Sequence, residues 1–161
     1  FAFFCRAVVE LLRIEAADSK AGQTERGTHG DSQPWLPYIL HLHDWQTALC
    51  PVYLQSLYSD VPALSRIRTL LTIHNLGYQG VFPNAEYVKT GLGPELFTPE
   101  GLEYYQKINL MKGGLVYADF LNTVSPTYSR EIQTPAFGFG LHGVIARRRK
   151  SPRSPSLPIR K

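Results

Sequence analysis

The sequence predicts an α/β fold built on a parallel sheet. Three observations support this prediction: short apolar runs alternate with segments of helical periodicity, turn residues separate them, and polar residues follow each run. Strands that are separated by a helix pair in parallel through a right-handed crossover. With 161 residues, of which 43% are hydrophobic, the chain is long enough to bury a core of its own.

The N-terminal half supplies two strands and two helices. Apolar residues three and four apart predict a helix over residues 1–17, and a polar, glycine-containing loop follows over residues 18–34. Residues 38–43 form a short apolar run typical of a strand. Helical spacing returns over residues 46–58, and residues 68–74, rich in Leu, Thr and Ile, are predicted to form the second strand.

The C-terminal half repeats the alternation. Glycines and prolines predict a loop over residues 75–95, and apolar spacing predicts a helix over residues 101–117. Residues 119–124 are predicted to form the third strand. A Ser-Pro pair that is typical of a helix start then predicts a helix over residues 126–132, and one more helix is predicted over residues 141–149.

The positive charge is concentrated at the C-terminus. Seven of the 17 basic residues lie between residues 147 and 161, and the rest of the chain has ten basic and 13 acidic residues. We therefore predict one domain over residues 1–149 and a basic, Ser/Pro-rich, disordered tail over residues 150–161. A folded domain that is slightly acidic argues against a nucleic-acid partner. No apolar run approaches the ~20 residues that span a bilayer, so no membrane partner is predicted.

Polar side chains close all three predicted strands. His41, His43 and Asp44 end the first strand, His74 ends the second, and Ser125 follows the third. Because ligands of open α/β sheets bind outside the carboxyl ends of the strands, we expect these side chains to converge on one edge. Asp44 directly precedes a helix, where its carboxylate is expected to cap backbone N–H groups.

Histidines at such an edge suit two kinds of chemistry. His41 and His43 share one face of a strand, because side chains alternate. A metal hydrolase built on these two and His74 is one hypothesis. A catalytic metal takes at least three protein ligands plus an open position, and few further ligands are nearby. The alternative is hydrogen bonding, either within the fold or to a ligand.

The loop after the second strand combines amides with an aromatic ring. Asn75, Tyr78, Gln79 and Gly80 lie in this glycine-containing stretch. Amides and aromatic rings suit a carbohydrate, which offers hydroxyl groups and apolar ring faces, although an ordered turn with local hydrogen bonds explains the same residues. The phosphate-binding P-loop motif and the nucleophile elbow of hydrolases are both missing from the sequence.

Four blocks of the sequence resemble one known family. They read FAFFCRAVVELL, HLHDWQTALCPVYL, TIHNLGYQGVFP and INLMKGGLVYADFLNTVSPTYSREIQTPAFGFGLHGVI. In this order and spacing they resemble bacterial glycogen synthases and plastid starch synthases, which are glycosyltransferases of GT-B architecture. The resemblance covers most of residues 1–149 except the loop over residues 18–34. Four blocks in register are more specific than any single motif.

The resemblance implies both a fold and an activity. The fold is a Rossmann-like N-terminal domain that faces a second such domain across a cleft. The activity is transfer of glucose from ADP-glucose, in some members UDP-glucose, to the non-reducing end of an α-1,4-glucan with retention of configuration. The donor and the glucan are the implied partners. No metal is implied and no cofactor either, since the nucleotide sugar is a substrate.

The resemblance also implies roles for individual residues. His41 would be the active-site histidine near the transferred glucose. The residues implied to contact substrate are His43, Asp44, His74, Asn75, Tyr78, Gln79, Gly80 and Ser125.

Parts of the family pattern are missing. The Lys-x-Gly-Gly-Leu loop of the family is absent near the N-terminus, and Lys112-Gly113-Gly114-Leu115 lies inside a predicted helix. By the same resemblance, the cations that take up the diphosphate charge would belong to the second domain. We therefore expect a partial domain that does not transfer glucose by itself, with a non-catalytic glucan-binding module or pseudoenzyme as the alternative. The expected compartment is the cytoplasm for a bacterial source and the plastid for a plant or algal source.

Overall fold

The structure is a computed structural model that describes residues 1–21 and 36–150. The helices in these ranges are α1 (Ala2–Ala21), α2 (Asp44–Thr47), α3 (Leu49–Gln55), α4 (Leu110–Tyr117), α5 (Pro126–Glu131) and α6 (His142–Lys150). The strands are β1 (Ile39–His43), β2 (Arg68–Ile73), β3 (Val81–Pro83), β4 (Glu103–Tyr104), β5 (Lys107–Asn109) and β6 (Phe120–Thr123). Short 3₁₀ helices cover Leu64–Arg66, Asn84–Thr90 and Pro94–Leu96.

The central sheet confirms the predicted parallel topology. β2 lies in the middle, with β1 on one side and β6 on the other, and both pairs are parallel. Thr72 lies beside His43 of β1 and beside Asn122 of β6. All three strands therefore run in the same direction and end at the same edge, which is the arrangement that the site requires.

The two faces of the central sheet differ. Leu42, Leu71 and Leu121 are buried in a hydrophobic core that also contains residues of α1, α3, α4 and α6. Alternate residues point the other way, and on that side His41 and His43 are exposed. Within the described ranges, the core thus covers one face of β1, and the imidazoles of His41 and His43 lie on the other face.

Two predicted segments extend past the described ranges. α1 continues to Ala21, so the start of the loop predicted over residues 18–34 is helical, and residues 22–34 lie outside the described part. α6 includes Lys150, and the remainder of the predicted tail also lies outside it. Among the helices that are described, none is long and apolar enough to cross a bilayer.

The helix predicted over residues 46–58 is divided into α2 and α3. The chain already turns helical at Asp44, and the regular helix is interrupted at Ala48. Pro51 explains the interruption, because it has no N–H to donate to the Thr47 carbonyl and its ring crowds that carbonyl.

A small antiparallel sheet replaces the first half of the helix predicted over residues 101–117. β5 pairs with β3 on one side and with β4 on the other. Tyr105 and Gln106 connect β4 to β5 with φ values of 49° and 62°, as in a tight hairpin turn with two left-handed residues. The predicted helix is therefore confirmed only over α4, and the predicted loop over residues 75–95 contains β3.

Two glycines in α4, Gly113 and Gly114, allow neighbouring side chains to pack close to the helix, and the contacts at Gly114 are the closer ones. A Cβ on Gly114 would lie 2.8 Å from Cβ of Ala48 and 2.8 Å from Cδ2 of Leu71, whereas one on Gly113 would lie 3.2 Å from Cγ of Leu102. We expect Gly114→Ala to lower the free energy of unfolding by about 1–3 kcal/mol through overpacking. Gly113→Ala should change it less, because the helix propensity of Ala returns about 1 kcal/mol.

Urea denaturation of the two variants beside the parent chain measures this difference. An equal effect of the two substitutions, or a larger loss for Gly113→Ala, would contradict the packing explanation.

Candidate active site

Three imidazoles lie in a row along the carboxyl edge of the central sheet. The ring centroids of His41 and His43 are 4.3 Å apart, and those of His43 and His74 are 5.3 Å apart. The first two project from β1, and the third follows β2, its parallel neighbour. The predicted convergence of these histidines on one edge is therefore confirmed.

Asp44 joins the end of β1 to the end of β2. Its Oδ1 accepts a hydrogen bond from the backbone N–H of His74 at 2.8 Å, and its Oδ2 lies 2.9 Å from Nδ1 of the same residue. A carboxylate only accepts, so Nδ1 carries the hydrogen and Nε2 is left for another partner. The imidazole of His74 remains 46% exposed, so it is both oriented and accessible.

The expectation that Asp44 caps its own helix is wrong. α2 begins at Asp44 itself, and the preceding His43 makes no side-chain capping bond. Asp44 has a φ of 54°, a left-handed conformation that Asp tolerates better than most residues. Thr47 stabilises this turn, because its hydroxyl oxygen accepts from the His43 N–H at 2.7 Å. The abrupt turn directs the Asp44 carboxylate across to His74.

His41 is held differently from His74. Its Nε2 lies 2.7 Å from the hydroxyl oxygen of Thr72, on the adjacent strand. Partial desolvation lowers the pKa of His41 from its ordinary value, and the nearby imidazoles of His43 and His74 lower it further. One nitrogen of the His41 ring is already engaged within the protein.

The loop from His74 to Gly80 is fixed by bonds at several points. Oδ1 of Asn75 accepts from the N–H of Gly77 at 2.9 Å, and the hydroxyl of Tyr128 accepts from the N–H of Leu76 at 2.8 Å. The predicted capping role of Ser125 is confirmed, since its hydroxyl accepts from the N–H of Tyr128 at 3.0 Å. The α5 start thus supports the loop after β2.

Gln79 is a support of the loop rather than an exposed group. Its side-chain amide nitrogen donates to the carbonyls of Leu76, at 3.1 Å, and Phe139, at 3.0 Å. Its side-chain oxygen accepts from the buried amide of Asn109 at 2.6 Å, and the other end of that amide caps α4 at Lys112. These bonds occupy both ends of the Gln79 amide within the protein. The substrate contact that the resemblance implies for Gln79 stays a prediction.

The remaining loop residues differ in exposure. Asn75 is exposed and Tyr78 is 69% exposed, so both are accessible at the edge. Gly80 has a φ of 62° and packs against the indole of Trp45, which leaves no room for a side chain. Predicted substrate contacts of these residues, as of His41, His43 and Ser125, remain predictions.

Three contributors were missed by the sequence analysis. The hydrogen bond between Thr72 and His41 depends on the strand register, and the hydrogen bond from Asn109 to Gln79 depends on β5, which was not predicted. Phe139 has a positive φ of 46°, and the glycines on both sides of it are the signal in the sequence for such a backbone.

Residues 138–143 have the G-x-G-x-x-G spacing of dinucleotide-binding loops. This motif requires a strand immediately before it, and turns precede residues 138–143 instead. The spacing therefore does not indicate a dinucleotide site here.

In the described part of the chain, neither a metal site nor the cavity at the other end of the sheet competes with the carboxyl edge as the candidate site. Within residues 1–21 and 36–150, no three His, Cys, Asp or Glu side chains are arranged to hold a metal ion. A cavity of about 930 Å³ opens at the opposite end of the sheet, where β2 and β6 begin. Its charged groups are engaged within the protein: Arg68 lies 3.2 Å from the Asp119 carboxylate, and Arg148 donates to the backbone carbonyls of Ala118 and Asp119. The candidate site is therefore the carboxyl edge of the central sheet, which we call the histidine edge and define by His41, His43, Asp44, His74 and Asn75.

Sequence comparisons with known proteins agree on starch and glycogen synthases as the similar proteins. The profile of the family described as starch synthase catalytic domain matches residues 1–147. Glycogen synthase of Thermodesulfovibrio yellowstonii is 42% identical over 151 residues, which are 94% of this chain and 27% of the relative. Glycogen synthase 2 of Geobacter sulfurreducens is 47% identical over 148 residues, which are 92% of this chain and 27% of the relative.

A solved structure agrees with these relatives. The catalytic domain of starch synthase IV from Arabidopsis thaliana, bound to ADP and acarbose, aligns with a TM-score of 0.74 and 30% identity. The alignment covers 98% of this chain and 28% of that one. The chain thus spans a little over a quarter of the length of the proteins it matches.

Proposed function

Because this chain belongs to the family of starch synthase catalytic domains, we propose that it forms one wall of the catalytic cleft of a glucan synthase. The complete enzyme would transfer glucose from ADP-glucose to the non-reducing end of an α-1,4-glucan, with retention of configuration. Relatives named glycogen synthase support this reading over that of a non-catalytic glucan-binding module.

The Asp44–His74 pair is the observation that carries the proposal. In glycosyl transfer the sugar ring develops oxocarbenium character, and the enzyme must hold its hydroxyl groups in place while the leaving group departs. His74 suits this task, because Asp44 fixes both its backbone N–H and its Nδ1 while Nε2 stays available. We assign Nε2 of His74 as an acceptor for a hydroxyl of the transferred glucose.

His41 has an indirect role in this proposal. The family resemblance assigns the active-site histidine to His41, whose Nε2 already contacts Thr72. His43 lies between His41 and His74 in the row of rings. We therefore propose that His41 positions the row of imidazoles through its contact with Thr72, and that His74 makes the direct contact with the sugar.

The donor side of the reaction lies outside the histidine edge. A departing nucleoside diphosphate is highly charged and needs cations to stabilise it. The histidine edge, defined as His41, His43, Asp44, His74 and Asn75, contains no Lys or Arg. We propose that a second Rossmann-like domain supplies these cations. ADP-glucose as the donor, the lack of a resident cofactor, and a cytoplasmic or plastid compartment according to the source belong to the same proposal.

A chimeric enzyme tests the proposed function. Residues 1–147 of this chain would replace the matching segment of the Geobacter relative, to which it is 47% identical. We expect the chimera to incorporate glucose from ADP-glucose into glycogen, and we expect no incorporation by residues 1–161 alone. The relative without the segment is the matched control. A folded chimera with no transfer above that control, or clear transfer by the isolated chain, would contradict the proposal.

A further inference from the structure

Two buried amides link the start of α4 to the loop that follows β2. Asn109 is fully buried and Gln79 is 8% exposed, and Nδ2 of Asn109 donates to Oε1 of Gln79 at 2.6 Å. Two apolar side chains of similar shape would stabilise a core about as well, because the bond only offsets the cost of desolvating both amides. The amide pair is therefore better explained by the direction that its hydrogen bonds impose on the loop.

The direction of both amides is set by the start of α4. The backbone N–H of Lys112 only donates, so the atom of Asn109 that faces it, at 2.9 Å, is the oxygen Oδ1. The nitrogen of Asn109 therefore faces Gln79, which turns its own oxygen towards that nitrogen. The Gln79 nitrogen is left to face the carbonyls of Leu76 and Phe139, at 3.1 and 3.0 Å. One helix cap thus orients the whole chain of hydrogen bonds.

The backbone of the loop is attached to the same end of α4. Leu110 and Met111 belong to the first turn of the helix, where N–H groups have no acceptor within the helix itself. These two N–H groups donate to the carbonyl of Gly80 at 3.2 Å and to that of Gln79 at 3.0 Å, respectively. Side-chain and backbone bonds together therefore fix the end of the loop to α4.

This attachment extends towards His74. The Gln79 amide holds the carbonyl of Leu76, which follows His74 by two residues, so a shift of that carbonyl is passed to the imidazole over a short stretch of backbone. We propose that Asn109 is a positioning residue for glucosyl transfer, which fixes the Gln79 amide and, through it, the loop and His74. The inference rests on the proposed function, because that function gives His74 the contact with the transferred glucose. Asp44 holds His74 from β1, and Asn109 holds the loop from α4.

Asn109→Ser in the chimera tests this role. Serine caps a helix about as well as asparagine, so the Lys112 N–H keeps an acceptor, but the shorter side chain loses the bond to Gln79. We expect kcat to fall about tenfold, as for a lost indirect contact, and KM for ADP-glucose to change less than about twofold. If the serine variant does not fold, Asn109→Asp replaces it with the same expected loss, since its carboxylate keeps the cap and cannot donate to Gln79.

Gly114→Ala is the matched control for stability. Gly114 lies in the same helix, and a Cβ there would crowd Ala48 and Leu71 rather than the loop. Asn109→Ser leaves the buried oxygen of Gln79 without its donor, so both variants should lower the unfolding midpoint of the chimera. Only Asn109→Ser should lower kcat. A residue that merely stabilised the fold would give the two variants equal kcat.

Hydrogen exchange of the full chain examines the attachment without any assay of activity. The N–H groups of Leu76 and Gly77 are hydrogen-bonded in the loop, and that of Lys112 is bonded to the cap. In Asn109→Ser we expect protection of the two loop groups to fall about tenfold through local opening. Protection of Lys112 should fall no further than it does in Gly114→Ala, because serine keeps the cap.

The two measurements separate this inference from the proposed function. Losses of kcat and of loop protection in Asn109→Ser, and not in Gly114→Ala, support the inference. An active chimera in which the two variants have equal kcat overturns it and leaves the proposed function standing, as does loop protection that the serine substitution leaves unchanged. A chimera without activity contradicts the proposed function and with it the role in glucosyl transfer, while hydrogen exchange still shows whether Asn109 holds the loop.

Discussion

Replacing His74 with alanine is expected to lower kcat/KM of the chimera about a hundredfold. The reason is that His74 presents an imidazole whose orientation Asp44 fixes through two contacts, of 2.8 and 2.9 Å. A hydrogen bond of this kind that forms in the transition state contributes about 1.5–3 kcal/mol, or roughly 10- to 150-fold in rate. The assay is initial-rate incorporation of glucose from ADP-glucose into glycogen.

His41→Ala in the same chimera is the control variant for this prediction. His41 lies in the same row of rings, but its Nε2 is engaged with Thr72, so we expect a loss of about tenfold or less, as for an indirect contact. Unfolding midpoints of both variants check that the fold is kept. A larger loss for His41→Ala than for His74→Ala would transfer the direct role to His41, as the family resemblance implies.

Gly80→Ala should be the most destabilising small substitution in the loop. Gly80 has a φ of 62°, and a Cβ there would lie 2.3 Å from Cε3 of Trp45. Trp45 has little room to move, since its ring is 4.7 Å from that of Phe1 and 5.9 Å from that of Phe82. The left-handed backbone and the overpacking together are expected to cost about 3 kcal/mol of unfolding free energy.

Urea unfolding of the chain measures this loss, and Gly143→Ala is its control. Gly143 lies in α6, and no atom of the described residues is within 4 Å of a Cβ placed on it. Alanine there should be neutral or stabilise the chain by up to about 1 kcal/mol. If Gly80→Ala proves as harmless as Gly143→Ala, the contact between the loop and Trp45 is not what holds the loop in place.

The parallel sheet could be predicted because each strand is a short apolar run between turn residues. The hairpin of β4 and β5 could not. Leu102, Tyr105 and Ile108 are three residues apart, which fits a helical face, and the strands of the hairpin are only two and three residues long. Its turn uses left-handed Tyr105 and Gln106 instead of the glycines that normally mark such turns. Local sequence therefore favoured the wrong structure.

The site was predictable to a similar extent. The rule that ligands bind at strand ends was sufficient to predict that His41, His43, Asp44 and His74 lie at one edge. The rule did not predict which groups these side chains hydrogen-bond to. Asp44 lies before a helix, and local reasoning assigned its carboxylate to that helix, whereas the pairing with His74 depends on the register between β1 and β2. A cross-strand bond of this kind is decided by tertiary structure.

A double-mutant cycle on Asp44 and His74 in the chimera tests the central claim most directly, namely that the two residues act as one unit. Asp44→Asn suits the left-handed φ of 54° and retains an acceptor for the His74 N–H, but it removes the carboxylate oxygen that faces Nδ1. We predict that Asp44→Asn/His74→Ala has the same kcat/KM as His74→Ala alone. Losses that multiply in the double mutant would contradict the claim.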